Sequence, residues 1–525
     1  MSGQKSQKIP ARKKPVILYL FCMFTLFPLF CTDGYFNIRH DRYYAFLVLS
    51  GAALLLVGLF RLLGGSDYKH LPQNLQAVQA AAEGPWYRRL SIGDWAMLLF
   101  VAAAAASTAL SGSPIDALLG TVGRNNGLVL LVTYGGVYFM VTRGYVHRTF
   151  LFVGLSLCAA SVSLLALLNF FYLDPLHMFD RLDAHSTMIF ISTIGNKNLL
   201  SGFLCMTLPV TVALFLYDRG KGLGVLCCLS TLLQSAALMC ADSDSGFLGV
   251  GAFLAVFLIL SIRRIGTFKK FTLTVTVMLL GAKLLNLFCS NPNKGMGGLQ
   301  QFMVSSLWST VLLAVAAALT AVLYLLHYKK PELRLTALSG VLTLALSAAL
   351  LTLVAAFVYF SFIAPDKPMP EALTFLRLDD GWGTHRGFMW RRSMDIFSGF
   401  TWKEKLLGSG PDTFYTVFKP YFAELSKFGD TSTNAAHNEY INYLITQGLV
   451  GLGSYLVLVV CALLKGLRRG KSEPTALIGV AAVIGYGVQA LVNIAQPITT
   501  PLFIVFLSLC AVRVPKNPGT ATEKK

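Results

Sequence analysis

The stretch LTALSGVLTLALSAALLTLVAAFVYFSFI (Leu335–Ile363) runs for 29 residues without one Asp, Glu, Lys, Arg or His. About 20 apolar residues suffice for an α-helix to cross the hydrocarbon core of a bilayer, so this stretch reads as a membrane-spanning helix. Working outward, similar runs occur at 15–31, 44–63, 93–110, 127–142, 150–171, 199–217, 222–240, 245–262, 270–289 and 304–327 on its N-terminal side, and at 440–464, 475–493 and 499–512 beyond it. The whole chain of 525 residues agrees: 55% hydrophobic, 13% charged, mean hydropathy +0.62. A soluble domain carries about 25% charged residues. Soluble enzymes, disordered scaffolds and disulfide-stapled secreted modules are excluded. The expected fold class is all-α, a polytopic helical membrane protein of about 14 transmembrane helices with one large extracytoplasmic loop.

The net charge of +19 and pI near 9.5 would suggest nucleic acid in a soluble protein. Here the excess of Lys and Arg in cytoplasmic loops of membrane proteins explains it, and no nucleic-acid partner is expected. With Met1 inside, 28 of the 44 basic residues fall on the cytoplasmic side and 15 outside, nine of them in one long loop; Lys283 lies in a span. Long loops translocate regardless of charge. The expected organisation is a cytoplasmic tail (1–14), a transmembrane bundle of about 11 helices (15–363), a large extracytoplasmic loop (364–439), about three C-terminal transmembrane helices (440–512) and a second cytoplasmic tail (513–525). No small-residue cleavage site follows the basic N-terminus, so the first span reads as an uncleaved helix. Asn74–Arg89 reads as an interfacial helix or a loop. The ten cysteines sit in or beside apolar runs without CxxC spacing and read as small buried hydrophobes.

In this topology the polar clusters gather on the outer side: GTVGRNNG (Gly120–Gly127), the loop Asp174–Asn198, the acidic turn ADSDSG (Ala241–Gly246) and the long loop. The long loop holds three of the six tryptophans and the segments GWGTHRGFMWRR (Gly381–Arg392) and LLGSGPDTF (Leu406–Phe414). Polar loops converging over an apolar bundle suit a substrate with a lipid tail and a polar head. Arg386, Arg391 and Arg392 are guanidiniums suited to phosphate, which Arg binds bidentately without losing its charge, and such cations stabilise a leaving diphosphate; solvated loop arginines are the plainer reading. His437, followed by Asn438 and Glu439 at the mouth of a span, has a pKa range suited to taking a proton from a hydroxyl; a helix-capping histidine is the alternative. Glu439 is a rival base or the group that orients His437. Lys197 could contact phosphate, with Asn196 and Asn198 as supporting or capping residues. Arg124 stands at a span entrance. Asp242 and Asp244 more often mark a helix boundary than bind a cation. No metal site and no cofactor are expected.

With these residues in place the chain resembles the O-antigen ligase and O-antigen polymerase superfamily of multispanning bacterial proteins, over roughly residues 115 to 510. The resemblance rests on Arg386, Gly387 and Trp390, then Leu406, Leu407, Gly408 and Gly410, then His437 to Tyr440 with Gly448 and Gly451 after it. Gly195–Asn198 resembles the family's Gly–Asn–Pro–Asn segment with Lys197 where proline is usual. The resemblance implies metal-free, inverting transfer of a glycan from undecaprenyl diphosphate to an acceptor hydroxyl (of a glycan, lipid or protein) outside the bacterial cytoplasmic (inner) membrane, among membrane lipids. It implies that two arginines hold the donor diphosphate and that His437 activates the acceptor. Arg386 carries over as one arginine. Where the family often has the other, shortly before the Gly–Asn segment, this chain has Ser192 and Thr193, so Arg181 or Lys197 would substitute.

Two other readings remain at this level. A metal-dependent lipid-linked glycosyltransferase would want acids in the first outer loop, where Asp33 and Asp41 stand outside any recognisable motif. A transporter or flippase for lipid-linked glycans would want ionisable residues deep in several helices, and apart from Lys283 the spans are nearly charge-free.

Overall fold

In a computed structural model the chain is described over residues 13–63, 89–121, 123–217, 221–288 and 296–512. The segment read as an interfacial helix or loop lies outside these up to residue 88, as do most of both expected tails.

Each of the fourteen apolar runs forms a helix: α1 (Lys14–Thr25), α2 (Ile38–Leu63), α3 (Ile92–Leu110), α4 (Leu128–Gly144), α5 (Thr149–Phe170), α6 (Lys197–Tyr217), α7 (Lys221–Cys240), α8 (Asp244–Ser261), α9 (Ile265–Asn286), α10 (Leu307–Lys329), α11 (Thr336–Val358), then, after the loop helix α12 (Trp382–Gly399), α13 (Glu439–Gly470), α14 (Leu477–Gln489) and α15 (Thr500–Cys510). Among the described residues ten of these are long and apolar enough to cross a membrane; α1, α4 and α15 are shorter apolar helices. Helix α9 carries Lys269, Lys270 and Lys283. The chain is an all-α polytopic membrane protein. The one sheet among the described residues is a two-residue pair, Phe190–Ile191 against Gly195–Asn196.

Helix α6 is the centre of the bundle. It is buried almost end to end and packs against α5, α7, α8 and α14. Helix α13 lies along α3 as the second long pairing. At the opposite extreme, α11 buries Ser339 alone, so the stretch that announces the fold meets lipid around nearly its whole circumference.

Three differences from the sequence reading matter. Helix α2 begins at Ile38, not at residue 44, which places Arg39 and Arg42 on it. An apolar-run criterion stops at Arg42, yet Arg42 is fully buried: its Nη2 donates to the carbonyls of Pro28 (2.8 Å) and Thr193 (2.7 Å), and its guanidinium lies 5.3 Å from the Phe27 ring. Lys283 is therefore not the only basic residue on a span. Nor does Lys283 reach for the surface: its Nζ donates to the carbonyls of Val304 and Ser306 and to Ser309 Oγ, tying α9 to the start of α10.

The long loop is built rather than strung. Phe388, Met389, Phe414, Phe418 and Leu425 form its own apolar cluster, into which Ile445 of α13 also packs. A Thr401–Glu404 capping box opens the short helix Trp402–Leu407.

Candidate functional site

Helix α12 begins with three left-handed residues, Gly383, Thr384 and His385 (φ 59°, 62° and 65°), and is regular from Arg386 onward. Left-handed φ at Thr and His is costly and persists where the surroundings dictate it. Gly387 is required by contact, since a Cβ there would fall 1.8 Å from the carbonyl oxygen of Asp379. Arg386 and Trp390 are four residues apart and share a helix face. Trp390 Nε1 donates to the Ala436 carbonyl (2.9 Å), and the Ala436 amide donates to Asn442 Oδ1 (3.4 Å). The residue before His437 is thus gripped from both α12 and α13. His437 itself adopts φ 50°, an αL conformation that breaks the chain direction just before the helix. Asn438, not His437, is the cap of α13: its Oδ1 accepts from the amides of Tyr440 and Ile441, both at 3.0 Å.

The Arg–Gly–x–x–Trp segment therefore positions His437. The Leu–Leu–Gly–x–Gly segment anchors the same helix from below. Helix α13 is interrupted at Gly448 (φ 66°, ψ −168°). The amides of Ser409 and Gly410 donate to the carbonyls of Ile445 (3.1 Å) and Thr446 (3.0 Å) at that interruption. The approach is backbone to backbone: a Cβ on Gly408 would lie 2.3 Å from the Gln447 amide nitrogen, and one on Gly448 would lie 2.4 Å from the Leu406 carbonyl carbon.

His437 opens onto a cavity of about 180 Å³. Its polar lining is His437, Asn196 and Asn198 from the start of α6, Arg39 from α2, and Asn493 and Gln496 from the segment between α14 and α15. Among the described residues His437 makes no hydrogen bond. Burial, then the positive charges of Arg386 and Arg124, push its pKa down to about 3, so the imidazole is neutral. Arg386, half-buried, makes no ion pair or hydrogen bond among the described residues. Burial lowers its pKa, opposed by the charge of Asp244.

The other residues singled out from sequence have other partners. Arg124 is buried, with Nε 3.5 Å from Asp412 Oδ1, Nη1 donating to Asn434 Oδ1 (2.9 Å) and Nη2 to the Ala495 carbonyl (3.2 Å). Asp412 also accepts from the amides of Thr121 and Asn126; burial raises its pKa and Arg124 opposes the rise. This pair staples the GRNNG turn to the long loop. Lys197 Nζ lies 3.8 Å from Asp242. Arg391 pairs with Asp380 at 3.1 Å, Arg392 with Asp395 and Glu424, and Arg181 with Asp33. Glu439 is buried, accepting from Tyr455 (2.7 Å) and Tyr486 (3.1 Å); it does not line the cavity and has no bond to His437. None of Arg124, Lys197, Arg391 and Arg181 lines the cavity either.

Behind the cavity is a polar network. Asn196 Oδ1 accepts from the Asn198 amide (2.8 Å), Asn198 Oδ1 accepts from Ser243 Oγ (2.8 Å), and the Asn198 carbonyl accepts from Asn493 Nδ2 (3.1 Å). Among the described residues no three His, Cys, Asp or Glu side chains converge as metal ligands. Sequence reasoning missed Arg39, Asn493 and Gln496. The available signals were slight: Arg39 three residues before Arg42 on one helix face, and a polar Asn–x–x–Gln between two apolar runs.

No curated protein matches the chain. Residues 302–456, the part that runs from the end of the first helices through the long loop to the middle of α13, match the model of the family described as O-Antigen ligase. That segment, which carries Arg386, Trp390, His437 and Gly448, is similar to the O-antigen ligase family, and the match supports the O-antigen ligase and polymerase superfamily.

Proposed function

We propose that the protein transfers a glycan from undecaprenyl diphosphate to an acceptor hydroxyl at the outer face of a bacterial cytoplasmic membrane, with inversion at the anomeric carbon and without a metal ion. The family match supports the coarser role, glycan transfer in surface-polysaccharide biosynthesis. The observation that carries the finer reading is a His437 with no hydrogen-bond partner among the described residues, opening onto a polar cavity, next to the residue that α12, the helix of the unpaired Arg386, grips. The two are held on adjacent elements by the Trp390–Ala436 bond.

The chemistry is a single displacement. The acceptor oxygen forms a bond to the anomeric carbon from one side of the sugar. The bond from that carbon to the diphosphate oxygen breaks on the other, and the leaving diphosphate carries the electron pair. The hydroxyl proton passes to the free imidazole nitrogen of His437. Arg386 neutralises charge on the diphosphate as it develops, where a water-poor site makes a fixed cation most effective. The diphosphate's own charge raises the His437 pKa from its low resting value, so the base gains strength once the donor is seated.

The test is transfer by the purified full-length protein in detergent. A lipid-diphosphate glycan extracted from the host serves as donor, with EDTA present, and the wild type is compared with His437→Ala and Arg386→Ala. Chain growth or acceptor labelling that survives EDTA and falls at least 100-fold in both variants is expected. Activity lost on chelation, or retained in His437→Ala, overturns the reading. Movement of lipid-linked glycan across proteoliposomes with no transfer would make the protein a flippase.

A further inference from the structure

The family pattern leaves one cation of the donor site without a residue in this sequence. The cavity beside His437 contains a cation that no motif marks. Arg39 lines it from α2, is exposed, and makes no ion pair or hydrogen bond among the described residues. Its charge acts on another cation, Arg124, whose pKa it lowers. A guanidinium without a counter-ion among the described residues, facing a cavity, lacks an anion.

Across the cavity, Gln496 supplies a second and independent observation. It is only 6% exposed, lines the same cavity, and its Oε1 is buried without a partner. No described residue accepts from its Nε2. A buried, unsatisfied amide is costly unless something bonds it, and an amide, donor and acceptor at once, suits a sugar hydroxyl. Asn196 adds an Nδ2 that donates to no described residue.

The walls carrying these groups are held together. Arg42, one turn beyond Arg39 on α2, donates to the Thr193 carbonyl at 2.7 Å and so fixes α2 against the segment that leads to Asn196. Asn493, three residues before Gln496, is tied to the Asn198 carbonyl. The cavity's volume of about 180 Å³ equals roughly six water volumes, the size of one sugar unit and not of a chain.

We infer that this cavity receives the glycosyl-phosphate end of a prenyl diphosphate donor, with Arg39 holding phosphate and Gln496 bonding a hydroxyl of the first sugar. The inference rests on the donor reading given above. It assigns the second cation to α2, a helix that sequence comparison with the family would pass over, and it makes the α14–α15 segment a determinant of which sugar is accepted.

The test measures binding of two probes, farnesyl diphosphate and a farnesyl-diphosphate-linked hexose, to the full-length protein in detergent. Wild type is compared with Arg39→Gln, Arg39→Lys, Gln496→Leu and Arg386→Gln, each checked for an unchanged thermal midpoint. Arg39→Gln is expected to weaken both probes by about ten- to hundred-fold, the scale of one charge-assisted hydrogen bond, and Arg39→Lys to recover part of the loss. Gln496→Leu is expected to weaken only the sugar-bearing probe, by about five- to tenfold. If Arg39→Gln binds both probes as wild type does while Arg386→Gln binds them poorly, the inference is wrong and the donor reading stands. If Gln496→Leu weakens both probes equally, its sugar contact is wrong. If the wild type binds neither probe, the donor reading itself falls, and the inference with it.

Discussion

Two arginines that look alike in sequence illustrate what side-chain partners decide. Arg124 and Arg386 each sit at a polar turn, and each suits an anion. Arg124 is spent on Asp412, and breaking a buried ion pair by removing one partner costs about 3–5 kcal/mol. Arg124→Ala is therefore expected to lower the thermal midpoint sharply, whereas Arg386→Ala leaves it nearly unchanged and removes activity. A melting curve beside a transfer assay separates the two, and equal destabilisation would contradict the assignment. His437 gives a pH prediction. Its folded pKa of about 3 lies below the usual 6.5, so the free enzyme keeps a neutral base and kcat/KM stays flat between about pH 5 and pH 8. Arg386→Gln removes one of the charges that depress it, and the acid limb moves up toward 6.5 in whatever activity remains. The sign for stability follows from linkage: the unfolded chain takes up a proton below 6.5 that the folded protein refuses, so His437 destabilises the fold as pH drops from there toward 3. Between about pH 7 and pH 5 the midpoint of His437→Asn is thus expected to fall less than that of the wild type.

Among the elements, the interruption of α13 at Gly448 is the most consequential. It frees the carbonyls of Ile445 and Thr446 for the amides of Ser409 and Gly410, which is how a loop far from the bundle core gains a fixed seat. Gly448→Ala would demand left-handed φ and place a Cβ 2.4 Å from Leu406. A cost of about 2 kcal/mol or more is expected, read as a lower thermal midpoint, with transfer reduced because the His437 turn shifts. Arg42→Leu tests α2 in the same manner. The Thr193 carbonyl loses its donor and that of Pro28 keeps only Thr193 Oγ1, at a cost of about 1–3 kcal/mol, and donor affinity drops because Arg39 and Asn196 are no longer held in register. The glycines were legible as a pattern in the sequence, but their purpose was not. The contact of Gly448 is a loop some forty residues earlier, which the spacing alone does not reveal. Helix α2 shows the same limit: a charge whose partners are carbonyls from two distant segments interrupts an apolar run without ending the helix.

For the whole molecule, apolar run length was enough to place a helix at each of the fourteen runs, ten of them among the described residues long and apolar enough to span. It was not enough to say which ends meet. Asn196 lies 241 residues before His437 and Gln496 lies 59 after it, and they come together because α6 is buried at the centre, with α14 packed on it. His437 and Arg386 were legible because a single loop carries both; Arg39 and Gln496 were not, since only tertiary packing brings them to the cavity. The same architecture bears on the proposed single displacement: among the described residues no carboxylate lines the cavity, and the nearest acid in sequence, Glu439, is turned into the bundle onto Tyr455 and Tyr486. A covalent glycosyl intermediate would require a carboxylate close to the anomeric carbon and would retain configuration. The measurement that tests this most directly is the anomeric configuration of the product, read by NMR after one round of transfer from a donor of defined configuration. The inverted anomer is expected; the retained anomer would contradict a single displacement and demand a nucleophile other than the acceptor.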